Sequence, residues 1–279
     1  MSKAYVAQRI LPAKAPPPTA GLGWSAAKII GIILVAFWAL AGLAIFANFA
    51  FNTEGDFLAR YGPRMLQGLW KTIWITLISI GLGMLLAALL TAMRLSPSRI
   101  IQAPAAAFMT FFRGTPLIAQ IFLIYYGSGE FTDFFKTAGL WWFFSDAIYC
   151  AILAFSLNTA AYQAQIYIGA IRTVSQGQRE AGQALGLSRM AITRKIVLPQ
   201  AAITALRPLG NEIVLMVKGS AIASVITVLD LMGETRLAYS RSFDFQVYLW
   251  AAVLYLVIVE TLRRVWDVLE ERLTRHLKR

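Results

Sequence analysis

The chain has 279 residues, of which 58% are hydrophobic and only 14% charged, with a mean hydropathy of +0.62. A soluble domain needs about a quarter of its residues charged, so this composition excludes an ordinary soluble enzyme and indicates a polytopic membrane protein. A single cysteine, Cys150, and a single histidine, His276, exclude a disulfide frame, a zinc site or a Cys/His catalytic couple within one chain. The net charge of +12 would suggest nucleic acid in a soluble protein, but in a membrane protein basic residues collect on cytoplasmic loops.

Residues 1–28 form a basic tail with a Pro-rich stretch, Leu11 to Thr19. Residues 29–51 carry no charge and as a helix cover about 35 Å, enough to cross the hydrocarbon and too long for the apolar core of a signal peptide. A second uncharged run, 72–93, follows, and a third, 100–129, is interrupted by Arg113. Residues 147–171 make a fourth span. The fifth, 196–217, contains Pro199, Arg207, Pro208 and Glu212, which predicts a kinked helix surrounded by protein rather than lipid. The stretch 219–229 is too short to cross and is expected to be buried against protein at the outer face. A sixth span, 245–262, leads into a basic tail at 263–279. An N-terminus inside places Arg94, Arg99, the loop 172–195 and the C-terminal tail in the cytoplasm, and this arrangement satisfies the positive-inside bias.

The loop 172–195 reads as helix, tight turn, helix. Ser175 followed by Gln178 is a capping-box pattern, Gly186 can take the left-handed conformation that ends a helix, and Ser188 can cap a second helix. Small Ala181, Gly182 and Ala184 beside Glu180 would let a partner approach the backbone closely. A solvated basic hairpin that merely obeys the charge rule is the competing reading. In the fourth span, Asn158, Tyr162, Gln165 and Gly169 share a helix face. This face is a candidate substrate pathway, with amides and a hydroxyl suited to a zwitterionic group, or it is helix–helix glue. Arg113 and Glu212 are the ionised groups placed deepest. Either they pair, or Arg113 satisfies helix ends broken by Gly114 and Pro116 near the cytoplasmic boundary. The residues offer no metal site.

Glu180-Ala181-Gly182, three residues, Gly186, nine residues, then Ile196-x-Leu198-Pro199 resembles the EAA loop of ABC importer permeases, departing from it in Gly182 for the second alanine. The segments Phe111-Phe112-Arg113-Gly114-Thr115-Pro116-Leu117, Leu157 to Tyr162, Gly169-Ala170-Ile171 and Gly210-Asn211-Glu212 are similar to the polar-amino-acid branch, and within it to the M-type subunits of histidine, lysine-arginine-ornithine and opine importers. The resemblance covers about residues 66–275. It implies an all-α type I importer fold, with a five-span core over 66–262 and the helix 29–51 as an addition. It also implies a non-catalytic inner-membrane subunit that couples to a cytoplasmic ATPase dimer through Glu180, Ala181, Gly182, Gly186, Leu198 and Pro199. A paralogous permease, a periplasmic solute-binding protein and an amino-acid substrate complete the expected assembly. The chain has no phosphate-binding Gly-x-x-x-x-Gly-Lys-Ser/Thr loop of its own, so ATP and magnesium belong to the partner. The helical charge pattern of the C-terminal tail fits an interfacial or ATPase-facing helix and needs no nucleic acid. An ion-coupled secondary transporter is the rival reading. It would need mid-span coupling carboxylates and often shows inverted repeats, and neither is evident.

Overall fold

A computed structural model describes residues 25–52 and 55–275, and the described residues are helical with no strand. Of the two expected cytoplasmic tails, residues 1–24 of the first and 276–279 of the second lie outside them. Two compact units divide at Thr53. The first contains α1 (Ala26–Asn52), an apolar helix long enough to cross a membrane.

The second unit contains the remaining elements. The helix α2 (Gly55–Arg94) is followed by α3 (Arg99–Gly114), α4 (Leu117–Glu130) and two short pieces, α5 (Thr132–Thr137) and α6 (Trp141–Phe144). Then come α7 (Ala147–Thr173), α8 (Gln176–Ala184), α9 (Arg189–Ile192), α10 (Leu198–Gly219), α11 (Leu231–Ser242) and α12 (Gln246–Thr274). Among the described residues five helices are long and apolar enough to span, and the pair α3 and α4 makes a sixth if counted together. That pair corrects the sequence expectation of one continuous third span. It is bent by 106° at Thr115 and Pro116, because Pro116 has no N–H for the helix ladder and disfavours a helical conformation in the residue before it.

The centre of the bundle is α7, whose Cys150, Ala151, Ala154, Phe155, Ala160, Ala161 and Ala164 are all fully enclosed. Its first turn is capped by Asp146, which accepts from the Ile148 N–H at 2.7 Å. Helix α2 lies directly against it. A Cβ on Gly83 would overlap the Thr159 side chain, so the missing side chain sets how closely the two backbones approach. Ser79 and Thr91 add long bonds from α2 to the carbonyls of Ile152 and Ala164.

A 3₁₀ segment, Ser220–Ile226, follows α10, with Ser220, Ala223 and Ile226 buried as the short apolar stretch predicted. It ends at Thr227 in the left-handed region, φ +67°. Asp230 then caps α11, accepting from the Gly233 N–H at 2.9 Å, while the Leu231 N–H donates to Thr72 of α2 at 3.0 Å. Asp230 is 1% exposed. Its second carboxyl oxygen lies beside the Tyr255 hydroxyl, and neither atom has a partner of good geometry. Burial therefore pushes this carboxyl up to about 7, against the opposing effect of the Gly233 N–H.

Candidate functional site

Two regions contain the residues singled out in the sequence. The first is the hairpin after α7. Helix α8 begins at Ser175, but the Ser175 side chain makes no capping bond, so the expected capping box does not form. Gln176 instead donates to Glu180 at 2.8 Å along the exposed face. At the other end the Leu187 N–H bonds to the Gly182 carbonyl and the Gly186 N–H to the Gln183 carbonyl, a Schellman closure that puts Gly186 at φ +75°. Ser188 then caps α9 through the Ala191 N–H at 3.2 Å. The expected turn and second cap are therefore present.

Gly182 differs from its expected use. It is buried, and a Cβ there would stand 3.0 Å from both Ile192 and Ile196, so its small size lets α8 close onto the following helix. Glu180 and Ala181 remain exposed. So do Leu185 at the turn, 80% exposed, and Met190, 68% exposed, an apolar tip that the basic composition of the loop had obscured. Arg179 donates to the Ile171 carbonyl at 2.7 Å, fastening α8 to the last turns of α7.

Between α9 and α10 the chain makes a π-helical turn, Thr193–Val197, in which the Leu198 N–H reaches back five residues to the Thr193 carbonyl. Pro199, the second residue of α10, accounts for it. Proline cannot donate to the Lys195 carbonyl and its ring would crowd that oxygen, and a wider turn relieves both. Leu198 and Pro199 are themselves exposed at this junction.

The second region is the bend between α3 and α4 with the α7 stripe that faces it. Pro116 leaves the Phe112 carbonyl without its helical donor. Two side-chain amides replace it: Gln120 of α4 donates to Phe112 O at 2.9 Å and Asn158 of α7 at 3.1 Å. Gln120 also donates to the Thr115 carbonyl and hydroxyl at 3.0 and 2.9 Å, and its own oxygen accepts from Asn158 at 3.0 Å. Asn158 is thus buried and committed to backbone, unlike the rest of its stripe. Tyr162, Gln165 and Gly169 are exposed in the single chain. Arg113, the residue after Phe112, lies on that exposed face. Its Nη1 donates to Gln165 Oε1 at 3.2 Å and its guanidinium carbon sits 5.7 Å from the centre of the Tyr162 ring.

Arg113 and Glu212 do not pair. Glu212, buried on α10, accepts from Thr159 at 3.1 Å, and the chain of bonds continues as Gln163 donates to Thr159 at 3.1 Å and Tyr167 to Gln163 at 3.3 Å. Thr159, Gln163 and Tyr167 repeat every four residues, so they form a stripe one to two positions along from Asn158, Tyr162 and Gln165. That offset turns the second stripe inward, toward α2 and α10, while the first meets the bend and the open face. Sequence inspection found the outer stripe and missed the inner one, although its spacing was equally regular. Gln120 was missed as well. The available signal was Pro116, four residues after Phe112, which identifies the carbonyl that needs a donor. Among the described residues no group of histidine, cysteine and acidic side chains could hold a metal ion.

Comparison with known proteins fits this geometry. The nopaline transport system permease of Agrobacterium fabrum is 37% identical over 217 residues, covering 77% of this chain and 90% of the relative. An arginine ABC transporter permease of Haemophilus influenzae is 38% identical, covering 70% and 85%. Among solved structures, an amino acid ABC transporter crystallised with histidines superimposes with a TM-score of 0.70 at 30% identity, over 79% of this chain and 99% of that one. The methionine ABC transporter MetNI shares the fold, with a TM-score of 0.61 at 21% identity over 75% of this chain and 96% of that one. Residues 79–275 match the family described as the binding-protein-dependent transport system inner membrane component, and with that length of match the chain belongs to this family of ABC importer permeases.

Proposed function

We propose that this chain is one of two paralogous permeases in a bacterial inner-membrane importer that carries a polar amino acid with additional carboxylate, an opine-like solute, into the cell. The observation that supports this is the exposed face where the Arg113 guanidinium meets the Tyr162 ring and the Gln165 amide. A cation exposed on the side of a spanning helix is costly against lipid and suits a protein-lined pathway. The guanidinium fork binds carboxylates in two-point fashion, and a neutral amide beside it leaves the positive charge uncompensated. Relatives named for nopaline, octopine and arginine transport support the same solute class. The charge on this face favours the opines within it.

Energy is supplied from outside the chain. A cytoplasmic ATPase dimer holding ATP and magnesium docks on the α8–α9 hairpin, with the apolar tip at Leu185 and Met190 entering its surface. The Arg179 bond ties α8 to α7, and the seat of Gly182 on Ile192 and Ile196 ties it to the base of α10. Closure of the ATPases moves both helices together and so alternates access to the face they border. A periplasmic solute-binding protein delivers the substrate to the opposite side. Both termini lie in the cytoplasm. The chain itself makes and breaks no covalent bond.

The test is reconstitution with the paralogous permease, ATPase and binding protein. Opine uptake should require ATP and all four components and should be indifferent to proton or sodium gradients. Uptake by the permeases alone, driven by such a gradient, overturns the reading in favour of secondary transport.

A further inference from the structure

The α3–α4 bend carries a second consequence. We infer that Gln120, with Asn158, is a positioning residue for solute selectivity: its side-chain amide clamps the Phe112 carbonyl and thereby fixes where the Arg113 guanidinium stands. This rests on the proposed role of the Arg113 face.

The geometry leads there in steps. An unsatisfied backbone carbonyl inside a membrane protein is expensive, so a bend made by Pro116 persists only if Phe112 O finds donors. It has two, and both are side-chain amides from other helices, Gln120 at 2.9 Å and Asn158 at 3.1 Å. Gln120 is 2% exposed, with its nitrogen spent on Phe112 and Thr115 and its oxygen on Asn158. Both of its donor hydrogens are engaged, and its burial gives it no access to a solute. Arg113 follows Phe112 directly, and the carbonyl clamped at Phe112 belongs to the peptide that contains the Arg113 nitrogen. Helix α7 thus holds Arg113 at two levels: Asn158 grips the peptide before it, while Tyr162 and Gln165, on the same stripe, receive its side chain. Loss of the lower grip frees the peptide to rotate and the guanidinium to leave its place between ring and amide. Selectivity between solutes that differ in carboxylate count depends on that place, because charge interactions fall with distance.

The experiment uses the complete reconstituted complex with saturating binding protein and compares uptake of arginine with uptake of octopine, which bears an additional carboxylate. Rates are taken per assembled complex, so poor folding of a variant is corrected for. Arg113→Gln, Gln120→Met and their combination form a double-mutant cycle, and Asn158→Ala, which spares the bond from Gln120 to Phe112 O while removing Asn158's own, is the milder companion. Each of the two single changes should lower the octopine-to-arginine ratio, on the order of threefold or more, and the double should lower it no further than the larger single. Asn158→Ala should shift it in the same direction by less. A Gln120→Met complex whose ratio is normal while both rates fall in parallel overturns the positioning role and leaves the Arg113 face standing. A multiplicative double mutant overturns it as well. An Arg113→Gln complex with an unchanged ratio removes the pathway reading itself, and the positioning role falls with it.

Discussion

The hairpin of α8 and α9 and the bend of α3 and α4 both interrupt the bundle, yet they are held in opposite ways. The hairpin is closed by backbone bonds within six residues of one another, by one glycine at positive φ and by one serine cap. The bend is closed by side chains 8 and 46 residues away in sequence, contributed by other helices. A local closure survives any rigid motion of its surroundings, which suits the proposed role of the hairpin as an element pushed as a unit. A closure made by neighbouring helices changes when those helices move, which suits the proposed role of the bend as an element that presents Arg113 in one state and withdraws it in another.

The largest test of this contrast is Gly186→Val. A β-branched residue at φ +75° is strained, so the Schellman turn should open and ATP-driven uptake should be largely lost while membrane insertion is retained. Normal uptake and normal ATPase pull-down would contradict the role of this turn. Next comes Asp230, a third kind of closure in which one buried carboxyl caps α11. Its folded value near 7 lies above the ordinary 3.8, so the folded state holds the proton more tightly. Its stabilising contribution is therefore present below about pH 4 and is lost as pH rises through about 7. Asp230→Asn keeps the bond from Gly233 and removes the titration, so the fall in thermal stability across that window should flatten, with a difference on the order of a few kcal/mol at the alkaline end. An unchanged slope would locate the pH dependence elsewhere.

On the proposed binding face, Gln165→Glu adds an anion beside Arg113 and should move relative uptake from opines toward arginine, by an interaction of about 1 kcal/mol or more at an effective dielectric near 20. Unchanged ratios with intact rates would take Gln165 out of the pathway. The smallest effect separates the hairpin's two serines. Ser188→Ala removes a formed cap and should cost about 1 kcal/mol, whereas Ser175→Ala removes none and should leave stability unchanged in thermal denaturation.

The same contrast explains what the sequence disclosed. Gly186 and Ser188 were legible because the chemistry that fixes them lies within a few residues. The apolar spans were legible because lipid imposes length and composition directly. Gly182 was recognised as part of a motif but assigned to the wrong neighbour, since its contacts Ile192 and Ile196 become neighbours only after the turn closes. The proposed Arg113–Glu212 pair failed for a related reason. Both residues sit deep, but α7 offers a hydroxyl to one and an amide to the other on stripes one to two residues apart, and hydropathy does not resolve that difference. Gln120 gave no sign of its own. Its partner carbonyl is created by a proline, and proline marks a vacancy without naming what fills it.

The π-turn at Thr193–Val197 gives the hairpin an adjustable heading. One added residue in a helical turn swings everything beyond it by about 100° around the axis, with little change in height. The direction in which α8 and α9 point away from α10 is set in this unit, whose Ile196 seats Gly182 of α8 and whose Val197 is buried with Ala201 and Ala205 of α10. A sequence that gains or loses one residue between Ile192 and Leu198 would re-aim the hairpin and at the same time move the seat that Ile192 and Ile196 give to Gly182. The heading of the hairpin and the packing at its base are therefore one property of this joint, and neither changes without the other.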